Sequence, residues 1–446
     1  MTLAALPPAP RRLPLVGHVP FVARDVLGYM EHVTRAHGDV VRLDLAGREV
    51  WVLGAPADIE FVHVNSGRLF DKGLRGDPIL SALLGNGLLV SEDDFWLRQR
   101  RLAQPAFHHR RVAAYADLMA AEGTRLLGQW QPGRTRDLHL DMTKLTLNIV
   151  AKAVLDTDPG ERADAVSAAI DEVLTEFHRS LGRPVKIPRN DVTPGWRRVN
   201  RGVEAIDRVG QAIIDERRAS GEDRGDLLSM LMLARDDEGR GMSDRQLLDE
   251  VKNIFLAGHD TTATTMTFAF SLLATHPSVE SRLHTELDEV LGGRAPTMED
   301  LPRLAFTDAV IKETLRLYPA AWSTQRRAKQ PVRVGDFDAP AGTVFWINHW
   351  VTHRDPRFFD APTEFRPERW LAPDFERSLP KYAYFPFGGG PRVCIGREFA
   401  RMEALVLLAT IAQRYRLRLV GDMPVPEPAI SLRPRGEVRM TLHARR

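Results

Sequence analysis

The chain has 446 residues, 43% of them hydrophobic and 27% charged, an ordinary balance for a protein with a large core. Its net charge of +2, with acidic and basic residues interspersed, gives nucleic-acid binding no support. The one cysteine, Cys394, excludes an internal disulfide and any iron–sulfur cluster held by several protein thiolates, and it suits a reducing cytoplasm.

Pro7, Pro8, Pro10 and Pro14 preclude a helix at the start and predict an extended lead-in. The apolar run before them is too short for a signal peptide or an anchor, and later apolar runs such as Ala404–Ala412 fall short of the ~20 residues that cross a bilayer. No membrane anchor is expected. Apolar spacing from about Val22 to His37 is helical, and GDVVRLDLAGREVWVLGAP then alternates in period two with Gly47 at a turn, which predicts a β-hairpin. Gly67–Val90 reads as an irregular loop with short helices.

Helical signal dominates from Asp94 to about Leu291. Breaks are expected at Gly182–Gly195, where Gly182, Pro184, Pro188 and the Pro194-Gly195 pair cluster, and near Arg235–Gly241. Ser243, with Gln246 three residues on, forms a capping box and opens a long helix to about Thr275, stopped by His276-Pro277. Further helices run to Tyr318, before Pro319, and short strands are expected over Thr324–Ile347. The reading is a mainly α protein with a smaller β portion (α+β), a single domain over 1–446. Its β-rich parts lie near 38–54, 324–347 and the C-terminus, and its helical body covers 94–318 and 395–415.

The chemistry concentrates in FPFGGGPRVCIGREFA, residues 385–400. A lone cysteine is commonly a small buried hydrophobe. Here Gly388, Gly389 and Gly390 permit unusual backbone angles and close approach of a flat ligand, and Arg392 adds positive charge. The helical sequence after Gly396 places the sulfur beside a helix N-terminus, which favours the thiolate. A nucleophilic cysteine with a histidine partner fits the same features, and 14 histidines make a partner unremarkable. The spaced pattern Phe387-x-x-Gly390-x-Arg392-x-Cys394-x-Gly396 separates the readings. It resembles the haem-thiolate loop of the cytochrome P-450 monooxygenases at every signature position.

The resemblance extends over essentially the whole chain. AGHDTTATT (Ala257–Thr265) lies in the long helix, where core packing is the plain alternative. Gly258, Asp260 and consecutive threonines are nevertheless poor choices for a helix centre, and threonine hydroxyls can divert backbone hydrogen bonds. The run looks like the family's oxygen-binding motif. By that resemblance Gly258 leaves room over the iron, Thr261 hydrogen-bonds dioxygen and Asp260 helps deliver protons. KETLRLYP carries Glu313 and Arg316 at a spacing that is usually a surface ion pair; the resemblance makes them a buried structural triad completed by Arg369 of FRPERW. Trp96 and Arg100 resemble the family's Trp-x-x-x-Arg pair of propionate donors, joined by Arg392 and by Arg326 or its neighbour Arg327.

The resemblance implies a P-450 fold with haem b (iron protoporphyrin IX) between the long helix and the cysteine loop. It also implies a monooxygenase that takes two electrons and two protons to reduce one atom of O2 to water and place the other in a C–H or double bond. Only 446 − 394 = 52 residues follow Cys394, too few for a flavin or ferredoxin domain. Electrons are therefore expected from NAD(P)H through a separate ferredoxin or flavodoxin and its reductase, docking on Arg98, Arg101, Arg397 and Arg401. The substrate is expected to be a hydrophobic fatty acid, terpenoid, carotenoid or steroid in a pocket including Leu80, Leu83, Phe177, Phe255, Ala320 and Trp322. The Asp260–Thr261 pair argues against a peroxide-driven peroxygenase or isomerase; a haem-based sensor or electron carrier is the non-catalytic alternative.

Overall fold

The computed structural model describes residues 6–74, 77–155, 160–181 and 187–445. They form two compact units along the chain: Met1–Gly73, Lys312–Cys394 and Pro426–Arg433 in the first, and Leu74–Ile311, Ile395–Val425 and Pro434–Arg446 in the second.

The first unit is built on a five-stranded sheet. The hairpin forms as expected, Val40–Leu45 pairing antiparallel with Arg48–Leu53. Its turn residues Ala46 and Gly47 have φ of 54° and 85°, the left-handed pair that matches strand twist in a two-residue connection. Val344–Asn348 adds parallel to Arg48–Leu53, then Ser323–Ala328 and the short Phe70–Asp71 add antiparallel. Phe70–Asp71 lies in the region read as irregular, two residues being too few for a periodic signal. Alternation along the hairpin explains how both sheet faces are covered. Trp51 and Leu53 pack with Phe70 and Phe345, whereas Val41, Leu43 and Val52 pack with Met30 and Val33 of helix Val26–His37. The predicted helix start at Val22 is corrected: Val19–Arg24 is a separate helix, because the Asp25 carboxylate caps the next one by accepting from Gly28 N.

Residues 353–396 contain little regular structure and lead to Cys394. They are fastened to helix Ala305–Leu317 by two fully buried side chains, Glu313 and Arg316. Arg316 places five hydrogen bonds: two on the Glu313 carboxylate (2.9 and 2.8 Å) and three on the carbonyls of His353, Pro362 and Glu364. Glu313 also accepts from Arg366 N, Arg369 Nε and Trp370 Nε1. The expected Glu313, Arg316 and Arg369 group is thus brought together, with Glu313 and Arg316 fully buried and Arg369 partly so.

The second unit is helical, with a three-stranded sheet of Thr135–Asp137, Arg439–Ala444 and Tyr415–Leu419. The long helix runs Asp244–Thr275 with the predicted capping box, Ser243 Oγ accepting from Gln246 N while Gln246 Oε1 accepts from Ser243 N. Helices Leu138–Leu155 and Pro194–Ser220 pack against it, and Gly160–Leu181 packs on Pro194–Ser220. The predicted break at Gly182–Gly195 is partly corrected. Residues 187–193 are irregular, but the Pro194-Gly195 pair starts a helix of 27 residues, since a proline at the first position lacks only an N–H that would have no helical partner. Gly182–Lys186 lie outside the described residues.

Replacing Arg316 by alanine removes the bidentate partner of a buried carboxylate and strands three carbonyls; it is expected to lower stability by about 3–5 kcal/mol. Arg366→Ala, which removes an exposed contact to Asp360 (3.0 Å), is expected to cost under ~1 kcal/mol. Urea unfolding midpoints of the two variants measure the contrast.

Candidate active site

In the first unit, residues 385–394 form a closed loop. Gly388 N donates to Phe385 O (2.8 Å), Val393 N to Gly390 O (3.1 Å) and Cys394 N to Phe387 O (3.0 Å). Each glycine has its own reason. Gly388 needs its φ of 68°, and a Cβ there would meet nothing. A Cβ at Gly389 would stand 2.2 Å from the Tyr382 ring, and one at Gly390, where φ is 63°, would stand 2.1 Å from the His63 carbonyl. At Gly389 and Gly390 the close neighbour is therefore protein. His63 is fully buried and stacks on Tyr382 with centroids 5.4 Å apart. Burial first, then the Arg326 cation, keeps its imidazole neutral. His353 Nε2 accepts from Phe385 N at 3.0 Å, which fixes the chain where it enters the loop.

Cys394 itself is exposed, with Arg392 half-exposed beside it. Gly396, two residues after Cys394 in the chain, is the N-cap of helix Arg397–Ala412. Strand alternation turns the two candidate arginines to opposite sides. Arg326 is buried, donating to Ser66 Oγ (2.8 Å), whereas Arg327 is turned outward onto Asp71 (2.8 Å). Trp322 sits in an apolar cluster with Leu27 and Leu432 and donates to Ala429 O, and Ala320 O accepts from Leu432 N. Both hold the first unit's own core together.

In the second unit, the long helix passes through 257–261 without interruption, contrary to the distortion that its threonines suggest. Their hydroxyls add bonds rather than divert them: Thr261 Oγ1 donates to Ala257 O (2.9 Å) and Thr265 Oγ1 to Thr261 O (2.9 Å). Most of the helix is buried, yet Ala257 is exposed and Ile254, Gly258 and Thr261 are partly so, making an accessible stripe on one face. Asp260 is buried. The position a Cβ would take at Gly258 is 2.9 Å from Val150 of helix Leu138–Leu155, so this glycine serves the close approach of two helices. Trp96 is buried and Arg100 half-buried, one turn apart on helix Asp93–Ala103. Leu80, Leu83, Phe177 and Phe255 belong to one apolar cluster of this unit.

Of the arginines expected to form a docking patch, Arg98 is withdrawn into an ion pair with Asp236 (2.7 Å) and onto the carbonyls of Arg240 and Gly241. Arg397 is paired with Glu398 and Arg401 with Asp308. Arg101 remains exposed and shares an open cleft with His108, Arg110 and Arg111.

The Cytochrome P450 family model matches residues 7–439. The chain belongs to the cytochrome P450 family. It is 38% identical to the cyclooctatin synthase of Streptomyces melanosporofaciens, over 97% of this chain and 93% of that one. It is 39% identical to cyclooctat-9-en-7-ol 5-monooxygenase of the same organism, over 94% and 90% of the two chains. To the pentalenene oxygenase of Streptomyces avermitilis it is 34% identical, over 98% and 97%. The protein is accordingly a P450 monooxygenase of mainly α fold, an oxidoreductase using haem on a cysteine thiolate, O2, a hydrophobic substrate and a redox partner. In the first unit the residues fit that group: the Cys394 thiol is exposed, on a loop backed by buried neutral rings. Among the described residues, no helix is long and apolar enough to cross a membrane.

Sequence reasoning passed over Glu403 in this P450. It lies on helix Arg397–Ala412, fully buried beside Thr262, and burial pushes its carboxyl up to about 8. Its one signal is an acidic residue in the apolar run that follows REFARM. Between its ordinary value of 4.5 and about 8 the folded state holds a proton that the unfolded chain has released, so stability falls as pH rises through that window. Glu403→Gln is expected to flatten this part of the pH–stability profile, measured by thermal unfolding.

Proposed function

We propose that this P450 hydroxylates or epoxidises a terpenoid, with Cys394 as the iron ligand and with electrons drawn from NAD(P)H through a separate cytoplasmic ferredoxin or flavodoxin and its reductase. The observation that carries the substrate class is the cleft in the second unit, lined by aliphatic side chains including Leu83, Ile206, Ile213, Val251 and Leu256, with Phe255 its one aromatic ring. The one cation among its described lining residues, Lys252, has its ammonium on Asp207 at 2.7 Å. Such a wall suits a compact aliphatic skeleton better than a fatty acid carboxylate, which meets no unengaged cation among the described lining residues. The names of the Streptomyces relatives point the same way.

Thiolate-bound haem supplies the activation of O2 and the insertion of one oxygen atom into an unactivated bond. The chain's own part is positional and electrostatic. The N-terminus of helix Arg397–Ala412 favours the Cys394 anion. Trp96, Arg100, Arg326 and Arg392, with Phe387 and Gly396 flanking, are the proposed groups around the haem, the four donors taking its propionates. With its proton on Ala257 O, the Thr261 hydroxyl offers lone pairs and holds an incoming donor, and Asp260 next to it passes protons. The exposed Arg101, Arg110 and Arg111 give an acidic electron donor a surface to dock on.

The reduced, carbon monoxide-bound protein is expected to show the red-shifted Soret band of thiolate ligation, lost in Cys394→Ala; a histidine-type band overturns the ligand assignment. Thr261→Ala is expected to keep that band and to consume NADH in the presence of ferredoxin, ferredoxin reductase and a terpene, while product per NADH falls by about tenfold or more. Product formed equally well with hydrogen peroxide alone overturns the monooxygenase cycle.

A further inference from the structure

The proposed substrate cleft encloses about 40 Å³, room for a few water molecules at most. A terpene enters only if the surrounding elements part, so what holds them together governs what gets in.

One face of the long helix does this. Asp249, Glu250 and Asn253 are all buried and lie on one stripe of the helix, adjacent to the stripe of Lys252, Phe255 and Leu256 that lines the cleft. They bind the backbone of the loop between helices Pro78–Leu84 and Asp93–Ala103. Asn86 N donates to Asp249 Oδ2 (2.9 Å), Leu88 N to Glu250 Oε2 (3.0 Å) and Leu89 N to Asn253 Oδ1 (3.0 Å); Asn253 Nδ2 returns a bond to Leu84 O (2.8 Å). The loop is shaped for the approach. A Cβ at Gly85 would stand 2.1 Å from the Asp249 carboxylate, and one at Gly87 would stand 2.1 Å from Asn253 Nδ2. Leu88 and Leu89 then lie against the apolar cluster that contains the cleft. On the cleft side, Lys252 ties helix Pro194–Ser220 to the same stretch through Asp207.

We propose that Asn253, assisted by Glu250 and Asp249, is a positioning residue that latches the loop 84–89 onto the long helix and so determines which hydrophobic substrates the P450 admits. The latch rests on the reading of the cleft as the substrate site. Asn253 is its centre because it alone both accepts from and donates to the loop backbone. A carboxylic acid at 250 and its amide both offer the acceptor that Leu88 N needs.

The test uses the haem-loaded enzyme with the Asn253→Leu and Gly87→Ala variants, which break the latch from the helix side and from the loop side. Limonene and the bulkier longifolene are titrated by the spin-state shift of the Soret band, and amide exchange is followed at Asn86, Leu88 and Leu89. Both variants are expected to keep the thiolate-type carbon monoxide spectrum, to lose protection at those amides and to move the ratio of the two Kd values by about tenfold in favour of longifolene. Glu250→Gln is expected to follow the parent protein. An unchanged Kd ratio with the amides exposed overturns the proposal, as do amides that stay protected in both variants. If neither terpene shifts the parent spectrum, the reading of the cleft itself fails and the latch proposal falls with it.

Discussion

Five hydrogen bonds from one buried guanidinium organise the least regular part of this protein. Between His353 and Cys394 the chain has no sheet and only single helical turns, so its polar backbone groups need partners from elsewhere. Arg316 supplies three carbonyls with donors and Glu313 supplies an acceptor to the backbone of Arg366. Farther along, Tyr384 Oη reaches Lys312 O and the His353 ring takes the Phe385 N–H. By the time the chain reaches the glycines it has been fixed at several points to helix Ala305–Leu317. A pair of opposite charges buried this deeply adds little net stability; its value lies in specifying one path for the backbone.

The glycines then let that path be tight. Tyr382 and the His63 carbonyl occupy the positions that side chains at 389 and 390 would need. Neutral, buried imidazoles behind the loop are consistent with an anion in front of it: His63 beside Arg326 stays uncharged, leaving the guanidinium as the cation of that region. The loop's geometry is thereby set by the protein before any prosthetic group is considered.

What the sequence made legible follows the range of the interactions. The hairpin at Gly47, the capping box at Ser243 and Gln246, and the stop at His276-Pro277 rest on contacts within a few residues. The spaced signature around Cys394 gave the family, which the relatives bear out. That Arg326 is buried and Arg327 exposed follows from strand alternation alone. By contrast, Trp322 packs against Leu27 and Leu432, hundreds of residues apart in the chain, and no local pattern marks it as core. The role of Gly258 against Val150 and the engagement of Arg98 by Asp236 are equally distant in sequence. The acidic and amide side chains at 249, 250 and 253 carry no local sign of burial, because nothing nearby announces that glycines at 85 and 87 bring another backbone onto them.

The uninterrupted course of the long helix has an evolutionary consequence. Residues 249–253, 255 and 256 shape the apolar cleft and its loop, Ile254, Ala257, Gly258 and Thr261 form the accessible stripe, and from Thr262 to Leu273 the helix is core. These sets share no positions. Selection can therefore diversify the first set, and with it the range of skeletons admitted, without renegotiating the second or unsettling the third. One rigid rod offers a lineage three separately heritable settings.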